Sequence, residues 1–146
     1  MTTNNIKIRE LEEKDLFNGF LESLDSLRKT SKISPKKAKD IFKKISSDKN
    51  YKIYVAVLDS KVVGAATILI EQKFIRNGGK VGHIEDVAVS KKHQGKGIGL
   101  VLVKELVQYA KKKGCYKTIL DCSDELIPFY EKIGFKRHSN SMRIDF

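Results

Sequence analysis

The residues whose types and spacing could do chemistry fall into two neighbouring stretches. Gln94-Gly95-Lys96-Gly97-Ile98-Gly99 places three glycines where a strand hands over to a helix. Such a corner leaves backbone N–H groups unpaired and aims the positive end of the helix dipole at one point, which is a phosphate-binding arrangement. A tight turn that merely requires glycine has the same composition. Two other phosphate motifs fail on the letters. A G-x-G-x-x-G fingerprint begun at Gly95 needs glycine at position 100, where Leu100 stands, and no G-x-x-x-x-G-K followed by Ser or Thr occurs. Just upstream, the strand-like run Val81 to Val89 contains the acidic pair Glu85-Asp86. Adjacent carboxylates inside a strand are costly unless one face is wet or functional, so the pair marks either a solvated strand end or a site. Cys115 and Cys122 have neither metal-ligand spacing nor an activating histidine at a motif distance and read as reduced, structural residues. His83, His93 and His138 lack a coordinating partner at a suitable interval, so no metal is expected.

The elements that must position these residues can be read from hydrophobic period. Ile6, Ile8 and Glu10 alternate as a strand, and Lys14 to Leu27 carries an apolar face at helical spacing. Ser34-Pro35, a hydroxyl cap followed by proline, starts a second helix through Ala38, Ile41, Phe42 and Ile45. Tyr51 to Leu58 and Lys61 to Phe74 form an antiparallel pair about a turn at Asp59-Ser60, and Asn77-Gly78-Gly79 turns into Val81–Val89. A helix then runs from the glycine segment to Gly114, followed by a short strand at Thr118–Leu120, a short helix from Leu126 to Ile133 and a last strand from Phe135 to Ile144. The order βααβββαβαβ predicts an α+β, three-layer domain with a mixed central sheet of about six or seven strands.

With 146 residues the chain has the size of one domain, residues 1–146. No apolar run approaches the ~20 residues that cross a bilayer, and Met1 to Glu10 is polar, so no membrane association and a cytoplasmic location are expected. Lys and Arg number 29 against 18 acidic residues, a net charge of +11, which favours anionic partners. Those could be nucleic acid, acidic lipid or phosphorylated metabolites; no helix-turn-helix, zinc-finger or aromatic-rich RNA-binding signature accompanies the charge, so nucleic acid is not the partner expected.

The pattern Gln94-x-x-Gly97-x-Gly99 resembles the acetyl-CoA pyrophosphate loop of the GNAT acetyltransferase superfamily, and the element order resembles its fold. The resemblance narrows at Glu71-x-Lys73-Phe74-Ile75, at Gly82-His83-Ile84-Glu85-Asp86-Val87, and from Gly114-Cys115-Tyr116-Lys117 through Leu120-Asp121-Cys122 to Phe129-Tyr130-Glu131-Lys132-x-Gly134-Phe135. With Arg9-Glu10-Leu11 and Gly19-Phe20-Leu21-Glu22, these stretches are similar to the glucosamine-6-phosphate N-acetyltransferase family over about residues 8–135.

That resemblance implies direct transfer of acetyl from acetyl-CoA to the amine of glucosamine 6-phosphate, a step toward UDP-N-acetylglucosamine, in a homodimer whose last strands help form each other's sites. Another small amine as acceptor is the alternative. It implies that the backbone of Val87, Ala88 and Val89 binds pantetheine and polarises the thioester carbonyl. The pyrophosphate would sit on Gln94, Gly95, Lys96, Gly97, Ile98 and Gly99. Glu85 and Asp86 match sugar-binding positions, Asp121 the aspartate that orients the amine and helps withdraw its proton, and Tyr130 the tyrosine beside the coenzyme sulfur. A helix cap for Asp121 and a packing role for Tyr130 remain alternatives. Lys73 matches a substrate-binding position. The phosphate end departs from the family: Arg28 stands for a usual threonine, Arg76 for a usual histidine, and Asp145 for a usual arginine. Arg143, two residues from Asp145 and on the same face if the segment is a strand, and Arg28 are therefore the expected relocated phosphate-binding charges.

Overall fold

The computed structural model describes residues 5–146; Met1–Asn4, part of the polar amino end, lie outside the described residues. One sheet runs in the order β1 (Lys7–Glu10), β2 (Tyr51–Leu58), β3 (Lys61–Gln72), β4 (Lys80–Val89) and β5 (Cys115–Ile119). The first four strands are antiparallel, and β5 joins β4 in parallel. The β2–β3 hairpin turns through Asp59 and Ser60, both left-handed (φ 49° and 64°), as a two-residue turn matched to strand twist requires. At the other end of β3, α3 (Ile75–Gly78) is a single turn with Arg76 and Asn77 left-handed.

Alternation sends side chains to two cores. Ala56, Val63, Ala66, Ile68, Ile70 and Ile84 meet α4 (Ile98–Lys112), whose Ile98, Leu102, Val103, Leu106 and Ala110 recur on one helical face and are almost fully buried. Burying each large aliphatic chain is worth roughly 1.5–3 kcal/mol. On the opposite face Ile53, Val55, Val62 and Ala65 meet Leu16, Phe20, Leu21 and Ala38, contributed by the segment leading into α1 (Leu21–Leu24) and by α2 (Pro35–Ser46). Ser34 caps α2 by accepting from the Lys37 N–H at 3.3 Å. The short α5 (Ile127–Glu131) follows β5.

Two expectations are corrected. The continuous helix expected over Lys14–Leu27 is instead a 3₁₀ turn (Glu13–Asp15), a wide turn (Leu16–Phe20) and the four-residue α1. Gly19 explains the break: its φ is 101°, and a Cβ there would lie 2.1 Å from the Val62 carbonyl oxygen, so the chain runs flush against β3 in a conformation no helix continues. Upstream, Asp15 is buried and takes a two-pronged hydrogen bond from Arg9 (2.6 and 2.8 Å) and one from the Glu12 N–H (2.8 Å), which pins this layer to β1. The sheet has five strands among the described residues, not six or seven, because Phe135–Ile144 is irregular. Met142, Ile144 and Phe146 project outward, with 94%, 78% and 115% exposure. Alternating apolar residues become a strand only against a partner edge, and no strand of this chain pairs with that segment among the described residues.

Candidate active site

The ladder between β4 and β5 stops early. Its rungs run from Lys80 opposite Cys115 to His83 opposite Ile119, and beyond them the β5 side of Glu85–Val89 makes no ladder contact. On the β3 side, Thr67 faces Glu85 and Ala65 faces Ala88, so Asp86 and Val87 together oppose Ala66. This is a β-bulge, and Asp86 adopts φ 49° within it. A non-glycine residue held left-handed inside a strand is strained, which is the signature of a functional corner. The bulge falls where the ladder to β5 has ended, leaving a wedge beside Val87–Val89, which have a strand partner on the β3 side only.

The glycine segment closes that wedge. Gln94 donates through Nε2 to the Val89 carbonyl at 3.0 Å, tying the loop to the end of β4. Gly97 caps α4 at φ 79° with no side-chain cap, so first-turn N–H groups of Ile98, Gly99 and Leu100 point outward without intrahelical partners. Phe129 of α5 lies over Gly99, where a Cβ would meet its ring at 3.3 Å. The same short helix carries Tyr130, which is 7% exposed and clasped edge-on by Phe129 (4.9 Å between centroids) and Phe135 (5.9 Å). Burial, and secondarily the nearby Cys122, push the Tyr130 phenol above its ordinary pKa.

Three carboxylates converge on the face of the sheet away from α4. The Glu85 carboxyl is pushed up, first by burial and then by the fields of Asp86 and Asp121, with His83 opposing. Asp121 lies just past β5 and accepts from Ser141 Oγ at 3.1 Å. Asp86 borders a cavity of about 140 Å³ under α2, lined also by Phe20, Phe42, Ile53 and Thr67. Tyr51 of β2 borders it too, and its phenol is pushed up by burial and then by Asp86 and Glu85. Because Glu85 is easier to ionise in the unfolded chain, the stability tied to its protonated form is complete below about 4.5 and is lost as pH rises through the higher folded-state value. Glu85→Gln is therefore expected to raise Tm at pH 7, with the gain vanishing near about pH 4. A lower Tm at pH 7 in a melting experiment would show that the charge supports the fold instead.

The phosphate-binding candidates are placed less uniformly. Lys73, just past β3, is held by Glu71 at 3.0 Å. Arg28 is exposed after α1, and its side chain makes no hydrogen bond or ion pair among the described residues. Arg143 lies on the irregular tail and forks onto Asp145 (2.6 and 3.0 Å), so the two do not share a strand face. Their contacts do not link either arginine to the carboxylate cluster. Arg76 instead stacks its guanidinium on Tyr116, 5.1 Å from the ring centroid. Among the described residues no group of three or more His, Cys, Asp or Glu side chains could hold a metal, and no helix is long and apolar enough to cross a membrane. Sequence reasoning passed over Tyr51 and Ser141 and quoted Glu71 and His83 within matching motifs without giving them a role. The period-two spacing of His83 and Glu85 was a legible signal; the others depend on pairing between distant segments.

A mixed sheet whose fourth and fifth strands part beside a glycine-turned helix offers outward main-chain donors suited to an anionic ligand. The sequence profile of the Acetyltransferase (GNAT) family matches residues 9–135, and the chain belongs to that family, which uses acetyl-CoA. It is 38% identical to glucosamine 6-phosphate N-acetyltransferase of Trypanosoma brucei brucei, over 97% of this chain and 96% of that protein. It is 39% identical to the enzyme of the same name from Arabidopsis thaliana, over 93% of each. The crystal structure of glucosamine-6-phosphate N-acetyltransferase from Arabidopsis thaliana superposes with a TM-score of 0.92 at 40% identity, covering 97% of this chain and 98% of that one.

Proposed function

We infer that the protein, as one domain over residues 1–146, transfers the acetyl group of acetyl-CoA directly to the amine of glucosamine 6-phosphate, giving N-acetylglucosamine 6-phosphate and CoA. The observation that carries this reading is the convergence of Glu85, Asp86 and Asp121 beside the unpaired end of β4. A cationic ammonium is the group that three carboxylates attract, and an adjacent wedge of main-chain donors suits a thioester. The near full-length similarity to glucosamine 6-phosphate N-acetyltransferases supports the sugar phosphate as the acceptor.

In the mechanism, the outward amides of α4 and the loop Gln94–Gly99 receive the pyrophosphate of the coenzyme. Main-chain N–H groups around Val87–Val89 polarise the thioester carbonyl, acting as fixed dipoles that need no reorganisation as charge develops. Asp121, with Glu85 and Asp86, orients the amine and draws off its proton, since only the neutral amine has a lone pair with which to attack. Tyr130, kept protonated by burial, donates its hydroxyl hydrogen to the departing thiolate, and the second proton that nitrogen sheds on becoming an amide restores the phenol. Neither Cys115 nor Cys122 serves as an acyl carrier; the amine attacks directly.

Lys73, Arg28 and Arg143 recognise the phosphate in this reading, with the protein acting as a cytoplasmic homodimer in UDP-N-acetylglucosamine formation. The outward apolar residues Met142, Ile144 and Phe146, with the fully exposed Phe74, support a second copy as the partner that completes the site. Arg28→Ala and Arg143→Ala are each expected to raise KM for the phosphorylated sugar several-fold, about 1 kcal/mol of lost charge-assisted hydrogen bonding, while sparing KM for acetyl-CoA. Unchanged sugar KM in both variants would remove these arginines from phosphate recognition. The reaction is tested by incubating the protein with acetyl-CoA and glucosamine 6-phosphate and identifying the product by mass spectrometry and NMR. N-acetylation of the sugar phosphate supports the reading; an unmodified sugar with intact acetyl-CoA overturns it.

A further inference from the structure

Beside the carboxylate cluster stands a histidine that the mechanism above does not use. His83 precedes Glu85 by two residues on β4 and so shares its face of the sheet, roughly 6–7 Å away along the strand. On β3, Leu69 faces His83 and Glu71 faces Val81, so Glu71 reaches His83 diagonally. His83 Nε2 and Glu71 Oε1 are 2.8 Å apart, and the same oxygen holds Lys73 Nζ at 3.0 Å. The hydrogen bonds from His83 and then Lys73 hold the Glu71 carboxyl below its usual range, so at neutral pH it is ionised and can only accept. Nε2 therefore carries a hydrogen, and the basic lone pair of the neutral ring lies on Nδ1. A carboxylate fixing one ring nitrogen while the other remains basic is the arrangement of an oriented imidazole base.

We propose that His83, oriented by Glu71, is the positioning residue that receives the proton shed by the acceptor ammonium, acting through Glu85. It rests on the reading that an amine acceptor sits at Glu85 and Asp121. The ammonium N–H bond breaks, its electron pair stays on nitrogen for attack, and the proton passes to a Glu85 carboxylate oxygen. Glu85, two residues along the same face of β4, hands it to His83 Nδ1 through a water. The imidazolium, with a third of its side chain exposed, releases it to bulk water and returns to the neutral ring. The titratable groups sharing this face are Tyr51 from β2, Glu71 with Lys73 beyond it from β3, Glu85 and Asp86 from β4, and Lys117 with Asp121 beyond it from β5.

The test compares wild type, His83→Gln and His83→Ala, using whichever amine the wild type acetylates, so that a wrong substrate and a wrong relay are told apart. Glutamine retains a hydrogen bond to Glu71 but takes no proton. The expected result is a fall of about tenfold or more in kcat at pH 7, with little change in either KM. The kcat–pH profile of His83→Gln should differ from that of wild type, and added imidazole should partly restore His83→Ala. Wild-type kcat in His83→Gln overturns the proposal. So does a loss of rate with an unchanged pH profile and no imidazole rescue, which would make His83 only a support for Lys73.

Discussion

Asp121→Asn is expected to lower kcat/KM for the amine acceptor by roughly 10²–10⁴-fold while leaving the affinity for acetyl-CoA intact. Asparagine keeps the shape of the side chain and can still meet Ser141, whose hydroxyl lies 3.1 Å from Asp121 Oδ2, so the segment after β5 should fold unchanged. What it loses is the charge that draws the ammonium in, orients the amine and helps Glu85 withdraw its proton. Steady-state kinetics in each substrate separate these effects: the loss belongs to the acceptor side. A variant with wild-type kcat/KM would take Asp121 out of the mechanism; a helix cap, the other expectation for this residue, is corrected by the structure, where Ser123 stands at the N-cap of the following turn.

Tyr130→Phe is expected to reduce kcat by about a hundredfold, again with acetyl-CoA binding preserved. Phenylalanine fills the same space between Phe129 and Phe135, so packing of α5 on Gly99 survives and only the hydroxyl is removed. Because only the leaving thiolate needs that hydroxyl, the interaction is realised as the bond breaks, and kcat falls without a matching change in KM. Burial raises the phenol pKa, so the donor form persists past the ordinary value near 10, and wild-type activity should show no loss from Tyr130 ionisation below that pH. Unchanged turnover in the variant would take the tyrosine out of the mechanism.

The parts of this site that were legible in the sequence are those fixed by short-range rules. Ser34-Pro35, Asp59-Ser60 and the glycine run before α4 each carry their structure in two to six adjacent residues. The Glu85-Asp86 pair was legible as an anomaly, and the bulge gives it a cause: Asp86 is turned by its left-handed φ so that both acids serve one face. Illegible features depend on distant contacts. The helical spacing of Leu16, Phe20 and Leu24 was real, but Gly19 breaks the helix because Val62, far along the chain, occupies the space. The alternation after Phe135 was real too, yet a strand needs an edge to pair with. Tyr51, and the contact of Glu71 with His83, became visible only once register had set β2, β3 and β4 side by side.

The central claim is that a phosphorylated amino sugar is the acetyl acceptor. It is tested most directly by following release of free CoA thiol from acetyl-CoA with glucosamine 6-phosphate, glucosamine or a lysine peptide as acceptor. Rapid release with glucosamine 6-phosphate alone is the predicted result and would support the carboxylate cluster and the basic phosphate site together. Release with glucosamine or the peptide, and none with the sugar phosphate, would keep the fold and coenzyme but contradict the substrate.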